Sequence, residues 1–385
     1  MRASIHDVLL PPSLSSLAAD PAPRTTWHVK VGTLCNLRCR YCYEWDRLAD
    51  RHRLTLHQWR CVFEAVRAYH HARTCGEGHG VGTTIVWHGG EPLLHPPGYV
   101  RDVLALQREV LETALPATAD IRNGVQTNLT RTGETLALMV DAGFHVSASV
   151  DFAAGVRVDA AGREADDRAL RNLERLVRQG ARCGVAVVLG RHNHDRLESI
   201  YDTLDGMGVH WLRINAMFAP PTDAPGGDLL LAPEEVLHTL QRLYIHWLQR
   251  GARLSVHPLT HALRTVLREC HASPGTGQSP RRNVRFVVHP DGTLTGQGGT
   301  ATPSERLGNI FTHRIEEVLD SPAWRSSRRR ADALRDRHCT ACAHVGACDG
   351  KPVLEHPHVL PAGPCPVESR LCTWIANDLA PGMTR

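Results

Sequence analysis

The sequence predicts an α/β protein: a partial (β/α)6 TIM-type barrel over residues 25–219, followed by a cysteine-rich C-terminal domain over residues 271–385. Three observations predict it. Six short apolar or alternating runs are separated by stretches of helical periodicity, polar motifs stand at the ends of several of those runs, and the clustered cysteines fall in two groups far apart in sequence. Successive strands joined by helices pair in parallel through right-handed crossovers. Closure into a barrel brings the strand ends to one rim, where the chemistry of such folds collects.

The elements follow in order. Residues 1–24, with four prolines, form an N-terminal arm. Trp27, Val29 and Val31 alternate with polar residues and mark a first strand, which runs directly into Cys35-Asn36-Leu37-Arg38-Cys39-Arg40-Tyr41-Cys42. Trp59, Val62, Phe63, Val66 and Tyr69 recur at helical spacing within 54–73, and the β-branched run 83–87 ends on His88-Gly89-Gly90-Glu91. The alternation continues as helix 99–114, strand 121–127, helix 131–142, strand 144–150, helix 166–179, strand 184–190, helix 195–207 and strand 209–217. Val185 to Leu189 is apolar throughout, which predicts strands buried on both faces.

Residues 220–270 begin with Pro220, Pro221, Pro225, Gly226 and Gly227, a linker, and continue with helices near 233–250 and 259–269. A hairpin joins 285–288 to 293–295 through Pro290-Asp291-Gly292. The tail from 334 to 372 has few periodic apolar residues, so its order is expected to depend on a metal.

Composition narrows the function classes. Forty-four basic against 40 acidic residues leave a formal charge of +4, too little for a nucleic-acid-binding surface. No apolar run reaches the roughly 18 residues of a membrane span. Val8–Leu10 is bracketed by Asp7 and Pro11, so no signal-peptide core forms. Neither a nucleic-acid nor a membrane partner is expected. Twelve cysteines in 385 residues fall well short of the roughly 8–10% of a disulfide scaffold. Their clustering indicates metal ligation in a reducing compartment, hence the cytoplasm.

Cys35, Cys39 and Cys42 have C-x3-C-x2-C spacing. Three thiolates suit a [4Fe-4S] cluster with one open iron, whereas zinc wants a fourth ligand. Cys339, Cys342, Cys348 and Cys365 supply four thiolates, enough to close a structural zinc site or an iron–sulfur cluster. Cys61, Cys75 and Cys183 are isolated.

The cysteine triplet at the end of a first strand, with aromatic Tyr41 before its last member, resembles the radical S-adenosylmethionine (SAM) superfamily. The resemblance implies a SAM-site [4Fe-4S] cluster on Cys35, Cys39 and Cys42, with SAM on its open iron. A reducing electron donor would trigger cleavage of SAM to a 5′-deoxyadenosyl radical, which abstracts a hydrogen from substrate. Gly89, Gly90 and Glu91 are similar to the family's glycine-glycine-glutamate motif, which receives the SAM amino group. Gln126-Thr127-Asn128 resembles the motif ending strand three, with Leu129 where glycine is usual. Ser149 and Asp151 resemble a Ser-x-Asp pair that contacts the SAM ribose and carboxylate, with Phe152 in place of glycine. Tyr41, Gly89, Gly90, Glu91, Asn128, Ser149 and Asp151 are therefore the implied cofactor contacts, and no catalytic residue is implied beyond the cluster.

The second cysteine group looks like a SPASM domain, which carries two auxiliary [4Fe-4S] clusters. Gln297 and Pro352 stand where two of its cysteines belong, and Cys270 alone cannot hold a cluster. One auxiliary [4Fe-4S] cluster, on Cys339, Cys342, Cys348 and Cys365, is the expectation, with Cys372 structural. The resemblance implies an oxidoreductase that matures a ribosomally made precursor peptide, forming a carbon–carbon crosslink (a cyclophane). Sulfatase-maturase-like oxidation and peptide epimerisation are the alternatives within the superfamily. A non-catalytic zinc scaffold is the alternative outside it.

Overall fold

A computed structural model describes residues 23–77, 81–112, 115, 119–217, 225–271, 284–296, 305–350, 353 and 363–379. The predicted alternation is present. It runs β1 (Arg24–Gly32), β2 (Leu37–Cys39), α1 (Leu56–Glu77), β3 (Gly82–Gly89), α2 (Pro97–Gln107), β4 (Ile121–Thr127), α3 (Glu134–Asp141) and β5 (His145–Ser149). It continues with β6 (Arg157–Asp159), α4 (Asp166–Arg178), β7 (Cys183–Leu189), α5 (Leu197–Met207), β8 (Trp211–Ala216), α6 (Pro233–Gln249), β9 (Ser255–His257) and α7 (Leu259–His271). The C-terminal part holds β10 (Val284–Val288), β11 (Thr293–Thr295), β12 (Arg306–Asn309), α8 (Ile315–Leu319), α9 (Pro322–Cys339) and α10 (Glu368–Leu379). None of the described helices is long and apolar enough to cross a membrane.

The strands form one ten-stranded sheet in the order β12-β11-β10-β1-β3-β4-β5-β7-β8-β9, parallel from β10 to β9. β2 and β6 make a separate antiparallel ribbon. Two pairings were not visible in the sequence. β9 is only three residues long and adds to β8. The predicted hairpin, β10 and β11, does form, and β10 lies parallel against β1, with Thr26 opposite Arg285 and His28 opposite Val287.

One face of this sheet is apolar and covered by helices. Trp27, Val29, Val31, Ile85, Trp87, Val125, Val146, Val185, Val187 and Leu212 are buried there with Trp59, Phe63 and Tyr69 of α1. The other face is polar and half-buried at Thr26, His28, Thr84, His88, Gln126, Ser147 and Ser149. The expectation of strands buried on both faces is therefore corrected: β1, β3 and β5 alternate in burial, and only β7 comes near the predicted pattern. A closed eight-stranded barrel fills its interior with branched side chains. This open sheet instead leaves polar side chains half-buried on its inner face.

Candidate active site

The loop after β1 is shaped by backbone contacts that only glycine permits. A Cβ on Gly90 would sit 2.1 Å from the Leu34 carbonyl oxygen, and one on Gly89 2.1 Å from that of Gly32. Gly90 N–H instead donates to Gly32 O at 2.9 Å and Glu91 N–H to Leu34 O at 2.8 Å. The end of β3 is thereby laced to the residues that lead into Cys35. Cys39 lies on β2, opposite Arg157 of β6, and Cys42 N–H donates to Cys39 O at 3.0 Å.

Burial raises all three thiols above their ordinary range, Cys39 to about 12 and Cys42 to about 11, and mutual repulsion adds to the rise at Cys39. A cation at this point would relieve that repulsion. The residues fit a cluster: three half-buried thiols within eight residues stand near enough for their charges to repel. Arg157 Nη2 and Thr33 Oγ1 are buried beside them with no hydrogen-bond partner among the described residues.

Glu91 is 2% exposed. Its Oε1 accepts from Leu93 N–H at 2.9 Å and Thr127 Oγ1 at 2.7 Å, and its Oε2 from Asn128 N–H at 2.7 Å. Burial pushes its carboxyl up, against these donors. The carboxylate thus ties β3 to the end of β4. Asn128 continues the link, its Nδ2 donating to Asn36 Oδ1 at 3.0 Å and lying 3.8 Å from Cys35 Sγ. Glu91→Ala leaves three buried donors without an acceptor, each worth about 1–3 kcal/mol. A lowered melting temperature together with weaker SAM binding is the expected result, read by thermal unfolding and equilibrium dialysis. An unchanged melting temperature would show that this network holds nothing.

Asp151 is fully buried. It accepts from Val188 N–H at 2.8 Å and from the Tyr41 hydroxyl. Arg157 donates to Tyr41 Oη at 3.0 Å and to Asp166 Oδ1 at 3.0 Å. Asp166 Oδ2 in turn accepts from the N–H groups of Asp151 and Phe152, at 3.0 and 2.8 Å. Burial lowers Arg157, but Tyr41, Cys39, Asp151 and Asp166 hold it well above its ordinary value. It is a fixed cation next to the thiols. Ser149 Oγ accepts from Gln126 Nε2 at 2.7 Å on the inner face.

Leu129 and Phe152, which stand where glycine is usual, keep left-handed backbone at φ 50° and 58°. The cost for a non-glycine residue is about 1–3 kcal/mol. Leu129 is fully buried, and burial of a leucine returns about 1.5–3 kcal/mol, so the strained turn persists.

A second buried pair braces the loop from below. Lys30 Nζ lies 2.7 Å from Glu44 Oε1 and 4.9 Å from the centre of the Tyr43 ring. Tyr43, 52% exposed, meets His88 Nδ1 at 3.2 Å, and Gly89 N–H donates to that same nitrogen at 2.8 Å. Burial, then Lys30 and Arg285, lower His88 to about 4, so it is neutral at pH 7. Breaking one member of a buried ion pair costs about 3–5 kcal/mol, whereas replacing both by apolar residues is often neutral. Lys30→Met should therefore lower the melting temperature strongly and reduce iron retention, and adding Glu44→Leu should restore most of both. Equal melting curves for Lys30→Met and the parent would refute the brace.

The second cysteine group gathers as well. Burial pushes Cys348 and Cys365 up to about 12, and both respond to Cys342. α7 forms their platform: Arg268 Nη1 donates to Ala347 O at 3.0 Å, and His344 joins Glu269 at 2.6 Å. His261 and Asp349 flank Cys348, with all three ligand atoms within 4.8 Å of one another. Cys372, 4% exposed, packs in the main core with its sulfur 3.9 Å from Ala262 O. The positions of Gln297 and Pro352, and the side chains of Cys75 and Cys270, lie outside the described residues.

Sequence reasoning missed Lys30, Glu44, Arg157 and Asp166. Lys30 carried a signal, being one of two lysines in the chain and lying between Val29 and Val31 on the strand that leads into the cysteine loop.

Residues 29–204 match the radical SAM superfamily. The serine-type anaerobic sulfatase-maturating enzyme of Klebsiella aerogenes is 24% identical over 342 residues, 87% of this chain and 81% of that protein. Its counterpart in Bacteroides thetaiotaomicron is 20% identical over 345 residues, 83% and 80% of the two chains. Among solved structures, native anSMEcpe with bound AdoMet and Cp18Cys peptide superposes with a TM-score of 0.71 at 19% identity, over 94% of this chain and 99% of that one. Streptococcus suis SuiB bound to S-adenosylmethionine superposes at 0.56 and 13% identity, over 86% and 73%. The fold and the three-thiol loop define a radical SAM domain. Residues 29–204 thus form a radical SAM domain, followed by a C-terminal extension, and the cofactors of such a domain are SAM and a [4Fe-4S] cluster.

Proposed function

We propose that this enzyme matures a peptide or protein substrate. The observation that carries the proposal is the polar, half-buried inner face of the barrel, from Thr26 and His28 to Ser147 and Ser149, leading up to the cysteine loop. Cluster and SAM, when bound, supply the radical that removes a hydrogen from the substrate. The chain's own residues position and shield. Arg157 holds Tyr41 and balances the thiolate charge, Glu91 and Asn128 fix the loop against β4, and Asp151 serves as a buried brace for Tyr41. Gly89, Gly90 and Ser149 line the approach for SAM. Residues 25–219 act as the SAM-binding barrel, 220–270 as linker and helices, and 271–385 as the seat of one auxiliary [4Fe-4S] cluster on Cys339, Cys342, Cys348 and Cys365. A reduced cytoplasm suits this thiol set.

The finer reading is a carbon–carbon crosslink in a ribosomally made precursor peptide. A second reading, oxidation of a side chain in a sulfatase, is favoured by the similarity to sulfatase-maturating enzymes. Crosslinking and oxidation of a serine both remove two hydrogens, so mass alone does not separate them. Incubation with SAM, reductant and candidate peptides, followed by fragmentation and a carbonyl reagent, does. A crosslink blocks fragmentation between the joined residues and leaves no aldehyde, whereas oxidation gives an aldehyde that the reagent captures as a hydrazone. Consumption of SAM with every candidate peptide left unmodified would count against both.

A further inference from the structure

Outside the barrel, charge concentrates on α9. Its 18 residues contain Arg325, Arg328, Arg329, Arg330, Arg335 and Arg337 against Asp332 and Asp336. Six minus two leaves an excess of four, as large as the formal charge of the whole chain, +4. The helix is anchored by its start: Ser321 Oγ accepts from Trp324 N–H at 3.1 Å, and the Trp324 ring lies 6.0 Å from that of Phe286 on β10. Its single buried residue is His338. Arg325, Arg328, Arg329, Arg330 and Arg337 are exposed. Asp332 is engaged by Arg335 at 3.2 Å. Arg328, Arg329 and Arg337 make no hydrogen bond or ion pair among the described residues.

The helix ends on Cys339, the first thiol of the second group. A rise of about 1.5 Å per residue places Arg328 roughly 16 Å along the axis from Cys339, with Arg337 in the last turn. We infer that α9, which ends on Cys339, is the docking face for an acidic one-electron carrier protein of the flavodoxin or ferredoxin type. The inference rests on the auxiliary-cluster reading above. One electron from the carrier breaks the C5′–S bond of SAM, leaving methionine and a carbon radical, and the carrier departs oxidised by one electron. A peptide substrate has to reach the inner face of the barrel. A carrier needs only to approach a buried centre, and a rigid cationic helix ending on one of its ligands provides that approach. Long-range attraction between opposite surface charges speeds encounter and weakens steeply with salt, whose screening length is about 10 Å at 0.1 M.

The test uses the full-length, anaerobically reconstituted protein without peptide. It measures 5′-deoxyadenosine formation driven either by enzymatically reduced flavodoxin or by dithionite. Arg328→Glu, Arg329→Glu and Arg337→Glu together should raise the KM for flavodoxin at least tenfold at low salt and leave the dithionite-driven rate unchanged. The parent's flavodoxin-driven rate should fall as sodium chloride is added. The triple change to Gln should give an intermediate KM. Equal flavodoxin kinetics in variant and parent would overturn the inference. So would an equal loss with dithionite, which marks damage to the cofactor sites. Because no peptide is present, the maturase reading is untouched by failure here, and the auxiliary cluster is checked separately by its iron.

Discussion

An alanine at Cys35, Cys39 or Cys42 abolishes dithionite-driven formation of 5′-deoxyadenosine. Each change removes one of three thiolates from a loop that has no fourth to offer. Cys39 is the strictest position, since β2 and β6 hold it opposite Arg157 and no neighbouring cysteine can take its place. Iron lost from this site leaves SAM without its anchor. Anaerobic assay of each single variant by chromatography checks the result, and 5′-deoxyadenosine from any of the three at a rate near the parent's would remove these cysteines from the cluster.

Iron content gives the second large effect. Reconstituted protein should hold about eight irons per chain, because its clustered thiolates suffice for two four-iron clusters rather than three. Changing Cys35, Cys39 and Cys42 together to Ala should leave about four, and adding Cys339→Ala and Cys342→Ala should leave essentially none. The expected ligands are Cys339, Cys342, Cys348 and Cys365; Cys372 also feels the charge of Cys348 and Cys365 but is packed among core side chains. Colorimetric iron and sulfide assays decide. About eight irons in the triple variant would mean a second auxiliary cluster, with Cys270 and Cys372 as its candidate ligands.

What the sequence made legible is what short-range spacing encodes. The C-x3-C-x2-C loop, the Gly89-Gly90-Glu91 turn and the six strand–helix units are local patterns, and the structure contains each of them. The contacts that brace the loop are encoded elsewhere. Glu91 meets Thr127 and Asn128 because β3 and β4 are neighbours in the sheet, and Arg157 meets Tyr41 because β6 folds back onto β2. Neither adjacency follows from periodicity. Burial on both faces was expected from the apolar run of β7, whereas β1, β3 and β5 alternate. Leu129 and Phe152 stand where glycine is usual, yet the fold retains left-handed backbone there and offsets the strain by packing at Leu129.

The parallel pairing of β1 with β10 has a consequence for the order in which the protein can be made. β1 carries the cysteine loop at its end, while β10, the strand that covers its second edge, is translated about 250 residues later. Throughout the intervening synthesis that edge exposes unsatisfied backbone donors and acceptors, the kind of surface on which chains aggregate. Vectorial synthesis therefore separates the loop's appearance from its completion. Metal delivered to Cys35, Cys39 and Cys42 on a nascent chain before β10 has paired with β1 meets a half-built support.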